Sequence, residues 1–404
     1  MQRYLIQVVF FSLLMAASLA TFNWLVNPYK IWNPPTISGI NSGLFQLPFK
    51  ERIYKIVGLL KNPKDIVILG SSRSDQGLNP KSKVLDNNAL NMALVAQPYE
   101  ETRILYEWLL NHHPSTKTFI IGLDFFASNV YYHRPTDYDA DNYSPWRSTK
   151  LLMSVSTLTD AVKTLAIRKP YGEAWTAEGL HYWFGSYLKK VGGMRKIFNK
   201  TEKDYFIDIY LPEPQCKFSF ETEDKKYKPI EELRTIFAKA YRDHINLKLF
   251  ISPSHARLWE VLAASDLWDK WEEWKHMLVK MNEEEAQKAG ESPFVLWDFS
   301  GYNSITTEPV PALGDDTNLM HWYTDASHYN PAAGDLILQR LFNTTIVDQK
   351  IPDDFGVMLN SENIDAHLAR IRMERINYRK THSDDITEIA TLAKETAKGK
   401  NCKK

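Results

Sequence analysis

From Tyr4 to Val26 the chain carries no charged side chain, and this constrains it more than any other feature. These 23 residues would form a helix about 34 Å long at roughly 1.5 Å per residue. A hydrocarbon core is about 30 Å thick, so the segment can cross a bilayer. Arg3 and the N-terminal amine precede it. The positive-inside rule then places the N-terminus in the cytoplasm and the remainder outside. A cleaved signal peptide is the competing reading, with Ser18-Leu19-Ala20 as a small-residue cleavage site. The apolar run continues past that site through Phe22, Trp24, Leu25 and Val26, and Trp24 and Tyr29 suit an interfacial aromatic belt. Both points favour an uncleaved anchor over residues 1–28, with the bulk of the chain in the periplasm or otherwise outside the cytoplasm.

The whole chain, 404 residues with 44% hydrophobic and 24% charged content, can bury a sizeable core. Lys+Arg and Asp+Glu both number 49. A protein held on nucleic acid by counterion release carries a basic excess, so no nucleic-acid partner is expected. Cys216 and Cys402 are too few for a disulfide framework or a cysteine-based zinc site. They say nothing about the compartment.

Residues 29–62 hold several prolines and read as a juxtamembrane linker. Apolar runs rich in β-branched residues follow at Asp65–Leu69, Phe119–Leu123, Leu247–Ile251 and Phe294–Trp297, each a buried strand by length and flanking turns. Helical patterns occupy residues 98–113, with Glu100 and Glu101 in the first turn, and Pro331–Phe342. Strands alternating with helices argue for an α/β fold with a mainly parallel sheet over residues 63–345. The span from about 130 to 235 breaks that rhythm and reads as an insertion, a cap or lid. Residues 346–404 read as a polar helical tail: Ile364–Tyr378 as a solvent-facing helix, and 383–404 as loosely held.

In parallel α/β sheets the site lies beyond the carboxyl ends of the strands. Gly70-Ser71-Ser72-Arg73 follows the first strand, Asp124 the second, and Ser252-Pro253-Ser254-His255 the third. Asp325-Ala326-Ser327-His328 precedes the last helix. A serine nucleophile needs an imidazole to take its proton, and the imidazole needs a carboxylate to orient it and stabilise its cation. A carboxylate three residues before a histidine supplies both from one segment, and a serine on the first tight turn can meet them.

In these blocks the sequence resembles the SGNH (GDSL-like) hydrolase superfamily. Gly70-Ser71-Ser72 is similar to a variant of its first block, with Ser72 in the nucleophile's register; Ser71 on the same turn is the alternative. Asp325 and His328 match the Asp-x-x-His of its last block. Asn91-Met92-Ala93 is similar in place to the second block but lacks the glycine. Gly122-Leu123-Asp124 falls on the third block with Asp124 where the family has its oxyanion-hole asparagine. A carboxylate donates no hydrogen bond unless protonated. The backbone N–H of Ser72 is then left to serve an oxyanion, with the Ala93 N–H, Asn91 or Arg73 as further candidates.

The resemblance implies a three-layer α/β/α sandwich. Within the superfamily it runs to membrane-anchored exported members, the accessory proteins of alginate and cellulose acetylation and of teichoic-acid D-alanylation. It implies serine-dependent transfer of an acyl group, most plausibly acetyl, to or from a cell-surface polysaccharide or similar glycan. A membrane-bound O-acyltransferase is the partner it suggests. A catalytically inactive scaffold or glycan-binding component of an envelope complex is the alternative. No cofactor and no metal is expected. Asp315, Asp316, His321, Asp325 and His328 match no tight ligand spacing. Ser71, Arg73, Asn91, Ala93, Asp124 and His255 are the candidate oxyanion or substrate residues, although His255 and Asp124 also read as structural groups at strand ends. Trp259, Trp268, Trp271 and Trp274 read as core more than as a sugar platform.

Overall fold

The computed structural model describes residues 1–42, 50–59, 64–133, 135–166, 175–181 and 186–402. Parts of the expected linker (43–49, 60–62) and insertion (134, 167–174, 182–185), and residues 403–404 of the tail, lie outside the described residues.

Six strands make one sheet: β1 (Ile66–Leu69), β2 (Ala89–Asn91), β3 (Thr118–Leu123), β4 (Asn246–Ile251), β5 (Val295–Asp298) and β6 (Val357–Met358). Their spatial order is β2-β1-β3-β4-β5-β6. The first five run parallel and β6 pairs antiparallel with β5. The fold is therefore α/β with a mostly parallel sheet, as expected. β1 and β3 are buried almost without alternation, which is why they read as continuous apolar runs rather than as period-two patterns. The four expected strands are β1, β3, β4 and β5. β6, at two residues, is too short to leave a sequence pattern.

Thirteen α-helices occur among the described residues. They are α1 (Gln2–Val26), α2 (Ser72–Gly77), α3 (Tyr99–His112), α4 (Arg147–Leu152), α5 (Val155–Ala166), α6 (Ser186–Val191), α7 (Met194–Asp204), α8 (Glu231–Arg242), α9 (Ala256–Ala264), α10 (Trp268–Ala289), α11 (Pro331–Phe342), α12 (Ile364–Thr381) and α13 (Ser383–Gly399). α1 is long and apolar enough to cross a membrane or to be a signal sequence.

The chain forms two compact units, Met1–Pro63 with Thr136–Tyr182, and Lys64–Pro135 with Trp183–Lys404. The expected insertion of about 130–235 is thus divided between them. In the first unit, α4 and α5 pack against α1. Asn23 Nδ2 donates to the carbonyls of Leu152 and Ser154 at 2.9 and 3.1 Å, and Tyr29 OH donates to Asp160 Oδ2 at 2.6 Å. Tyr29, Ile31, Ile53 and Leu151 form a small core with Trp32 and Val57 against it. The expected linker is therefore packed structure over much of its described length.

In the second unit the C-terminal region is tied down, against the expectation of a loose tail over 383–404. α13 packs on α9 and α7. Arg257, buried on α9, holds Glu202 at 2.6 Å and Asp385 of α13 at 2.6 Å. A disulfide joins Cys402 to Cys216, 186 residues apart. α12 turns Ile364, Leu368 and Ile371 inward. Its His367 Nε2 lies 2.8 Å from Asp298 Oδ2, which also receives Lys275 Nζ at 2.6 Å. Burial opposes the charge of Asp298, but Lys275 and His367 outweigh it and hold this carboxyl well below the ordinary range. Trp259, Trp271 and Trp274 are buried and only Trp268 is half-buried, so the tryptophans serve the core and not an open platform.

Lys275→Met should leave the buried Asp298 short of its main countercharge. Breaking one side of a buried ion pair costs about 3–5 kcal/mol, so the urea midpoint should fall. Adding Asp298→Asn should recover part of the loss. A Lys275→Met chain as stable as the wild type would contradict this account.

Candidate active site

β1 lies between β2 and β3, so the chain leaves β1 for one neighbour and then crosses to the other side. A crevice opens outside the strand ends at such a reversal. Gly70 ends β1 in a backbone conformation with φ 138°, a turn that favours glycine. Ser71 is the N-cap of α2, its Oγ accepting from Arg73 N at 3.3 Å. Ser72 opens the helix, half-buried where its neighbours are buried.

The opposing segment shapes itself. Asp325 Oδ1 accepts the N–H groups of Ser327 and His328 at 2.7 and 2.9 Å, and Asp325 Oδ2 lies 2.7 Å from His328 Nδ1. The three-residue spacing thus lets one carboxylate hold both the backbone and the ring of the histidine. Tyr323 and Tyr329 bridge at the base of this loop. Asn330 caps α11 through the N–H groups of Ala332 and Ala333 at 2.9 and 3.4 Å, with Pro331 at the first helical position. The far ring nitrogen, His328 Nε2, lies 2.7 Å from Ser72 Oγ. The side chains of His328 and Asp325 keep 17% and 15% of their surface exposed, enough for a reactant to reach them. Burial raises the Asp325 pKa. The neighbouring His328 ring and the two backbone N–H groups outweigh it and keep the carboxyl below the ordinary range. Nδ1 then carries the ring proton, and the Nε2 lone pair faces the hydroxyl.

Close packing sets that distance. α2 and α11 pack together. A Cβ on Gly77 would fall inside the Tyr329 ring, and one on Gly334 would collide with the Gly77 carbonyl. The pair of glycines therefore lets the serine helix approach the segment that carries the histidine.

The remaining candidates take other posts. Ser71 Oγ donates to Asp124 Oδ2 at 2.6 Å, so Ser72, not Ser71, meets the imidazole. Arg73 is buried and reaches Asp124 Oδ1 at 2.6 Å, Ser327 Oγ at 3.1 Å and Tyr205 OH at 2.9 Å. Both carboxylate oxygens of Asp124 are thereby engaged as acceptors. Asn91 donates its amide hydrogens to the carbonyls of Ser74 and Leu78 at 2.8 and 2.9 Å, and its Oδ1 takes the Ala93 N–H at 3.1 Å. These two brace α2 from behind. His255 is buried and caps α9, with Nδ1 accepting from Arg257 N at 3.2 Å and Nε2 2.7 Å from the Glu308 carbonyl. Burial pushes its pKa down to about 3, so it is neutral at pH 7. Among the described residues no cluster of His, Cys, Asp and Glu is arranged to hold a metal ion.

Sequence reasoning missed Ser327 and Tyr205, which hydrogen-bond each other at 2.7 Å. Ser327 sat in plain view between Asp325 and His328. Tyr205 lies in the expected insertion and carried no motif. Comparison with known proteins finds nothing: no family model, no curated protein and no solved structure matches the chain.

Gly334→Ala should lower the melting temperature, since forcing a methyl into a packed contact costs about 1–3 kcal/mol; an unchanged melting temperature would show that the contact is loose. His255 generates a pH effect. Its folded pKa of about 3 lies below an ordinary value of about 6.5, so the unfolded chain binds the extra proton between them. This contribution is complete above about pH 6.5 and is lost as pH falls toward 3. Between pH 7 and 5 the loss should be about 2 kcal/mol. A His255→Asn chain should lose that much less stability over the same interval in urea titrations; equal losses would refute the assignment.

Proposed function

We propose that the chain is a membrane-anchored, extracytoplasmic SGNH-like enzyme that transfers an acyl group, most plausibly acetyl, through an ester on Ser72. The observation that carries the reading is the continuous relay from Ser72 Oγ through His328 to Asp325, with 2.7 Å at each step. The parallel sheet, the placement of Ser72 after β1 and that of His328 before α11 agree with the three-layer sandwich of that superfamily. The uncharged helix α1 fits an anchor. The Cys216–Cys402 disulfide fits an oxidising compartment outside the cytoplasm.

The chemistry follows from the relay. Ser72 Oγ attacks the acyl carbonyl carbon while its proton passes to His328 Nε2. Asp325 stabilises the imidazolium. As the carbon–oxygen bond of the donor breaks, Nε2 returns the proton to the leaving oxygen, and the acyl group remains on Ser72. An acceptor hydroxyl then gives its proton to Nε2 and attacks the ester carbonyl; Nε2 protonates Ser72 Oγ as it departs. A hydroxyl of a cell-surface glycan as acceptor makes the protein a transferase, and water makes it an esterase. A membrane-bound O-acyltransferase would be the partner that delivers the acyl group. With Asp124 engaged by Arg73 and Ser71, and Asn91 and Ala93 engaged with each other, the Ser72 N–H at the start of α2 is the donor left to meet the oxyanion. Losing one such donor costs on the order of 10²–10³ in rate, so slow turnover is expected.

Full-length protein mixed with p-nitrophenyl acetate should show a burst of nitrophenol and an acetyl mass increment on the peptide bearing Ser72. Ser72→Ala and His328→Ala should abolish both, whereas Ser71→Ala should retain the adduct. Asp325→Asn, which inverts the ring tautomer, should slow acylation by about 10⁴-fold. A folded wild-type chain that acquires no adduct would overturn the proposal and favour the alternative of a non-catalytic envelope component.

A further inference from the structure

Partial burial of α1 is confined to its later half. Ala16, Leu19, Ala20 and the run from Phe22 to Val26 are half-buried or buried, while residues from Tyr4 to Met15 are exposed. The elements that pack on α1 are α4 and α5. Asn23, one turn before the helix ends, donates to the carbonyls of Leu152 and Ser154. The α4–α5 connection thus meets α1 beside residue 23. Ala16 lies about 15 Å before Val26, at roughly 1.5 Å per residue. If residues 4–26 cross a core of about 30 Å, the cover on α1 begins near mid-depth, and the α4–α5 connection meets the helix inside the apolar layer.

The outer surface of that connection and its two helices carries large apolar side chains, with Thr149, Lys150, Ser156, Thr159 and Lys163 exposed among them. Trp146 is 68% exposed, Met153 47%, Val155 69%, Val162 53% and Leu165 38%. On α5 the side turned inward carries Thr157, Asp160, Ala161 and Thr164, so this helix turns its carboxylate and two of its threonines at protein, while Val155, Val162 and Leu165 face outward beside Ser156 and Thr159. Its lone exposed cation, Lys163, is positioned 3.5 Å from Asp160. Such a distribution is inverted for water and suited to lipid. Trp146 and the nearby Arg147 and Lys150 have the amphipathic character of groups that sit at a headgroup boundary.

We infer that α4 and α5 are a second membrane element, seated in the leaflet from which α1 emerges, with Met153, Val155, Val162 and Leu165 against acyl chains. The occupant of this face is the bilayer itself. The inference rests on the anchor reading and adds to it a shallow apolar wedge beside the spanning helix.

Nitroxide labels on cysteines introduced at Val155, Val162, Leu13 and Lys226 test this in proteoliposomes of the full-length chain. Leu13 is an exposed residue of α1 (65%), and the Lys226 side chain is 83% exposed. The wild-type chain, whose two cysteines are bonded to each other, is the unlabelled control. Collision with oxygen reports lipid, and collision with a water-soluble nickel chelate reports water. The oxygen-to-nickel ratios at Val155 and Val162 should shift away from that of Lys226 toward that of Leu13. A lipid-like Leu13 with water-like Val155 and Val162 overturns the wedge and leaves the anchor standing; that is also the outcome for a face kept for a protein partner. Water-like ratios at all sites overturn wedge and anchor together. Labels shielded from both reagents overturn the wedge in favour of contact between copies.

Discussion

Arg73 carries a buried charge, 3% exposed, and the site is arranged around that fact. A guanidinium cannot shed its proton to relieve burial, so its donors need acceptors within the protein. Asp124 at the end of β3 meets one, Ser327 in the loop between Asp325 and His328 meets another, and Tyr205 a third. One side chain therefore joins the strand end behind Ser72 to the loop that carries His328. A shift of that loop would take Ser327 from one donor of the buried guanidinium, and a hydrogen bond to a charged group is worth about 1.5–3 kcal/mol. The distance between serine and imidazole is thus guarded by an interaction one layer behind it. The glycine pair Gly77 and Gly334 sets how near α2 and α11 can come, and the Arg73 network sets how far they can stray.

The parts of this site that were legible in the sequence are those whose chemistry depends on spacing along the chain. Asp325 and His328 are three apart because one carboxylate must reach both a ring and two backbone N–H groups. Ser72 directly follows a strand and its turn, because that is where a parallel sheet presents side chains to its crevice. The four longer strands were legible because burial on both faces demands unbroken apolar runs. By contrast, the partners of Arg73 come from positions 124, 205 and 327, and no local pattern links them. Asp124 illustrates the limit: the motif put a carboxylate where the family has a donor, its chemistry argued against that role, and only the three-dimensional neighbourhood shows that it accepts from Arg73 and Ser71.

The C-terminal region was misread for a related reason. Its polar composition suggests a solvated tail when each residue is counted alone. The structure gives those polar groups partners, Asp385 with Arg257 and His367 with Asp298, and partnered polar groups can be buried where single ones cannot. Local composition cannot distinguish the two cases, because the partners lie more than a hundred residues upstream for Arg257 and about seventy for Asp298.

The same logic of obligatory partners explains why the segment between β3 and β4 divides between the two units. Asn23 is a buried polar residue in the last turn of a largely apolar helix, and its amide hydrogens find their acceptors outside that helix. The carbonyls of Leu152 and Ser154 lie at the break between α4 and α5; helix C-termini such as that of α4 leave carbonyl groups without intrahelical partners, while the Ser154 carbonyl also takes the Leu158 N–H at the start of α5. Tyr29 with Asp160 adds a second polar contact just beyond the helix end. Tyr205 answers the corresponding need at Arg73. A single stretch of chain between two sheet strands thus meets two distinct polar needs, one at α1 and one behind the serine. This is why it follows neither the α/β rhythm nor the pattern of a simple cap.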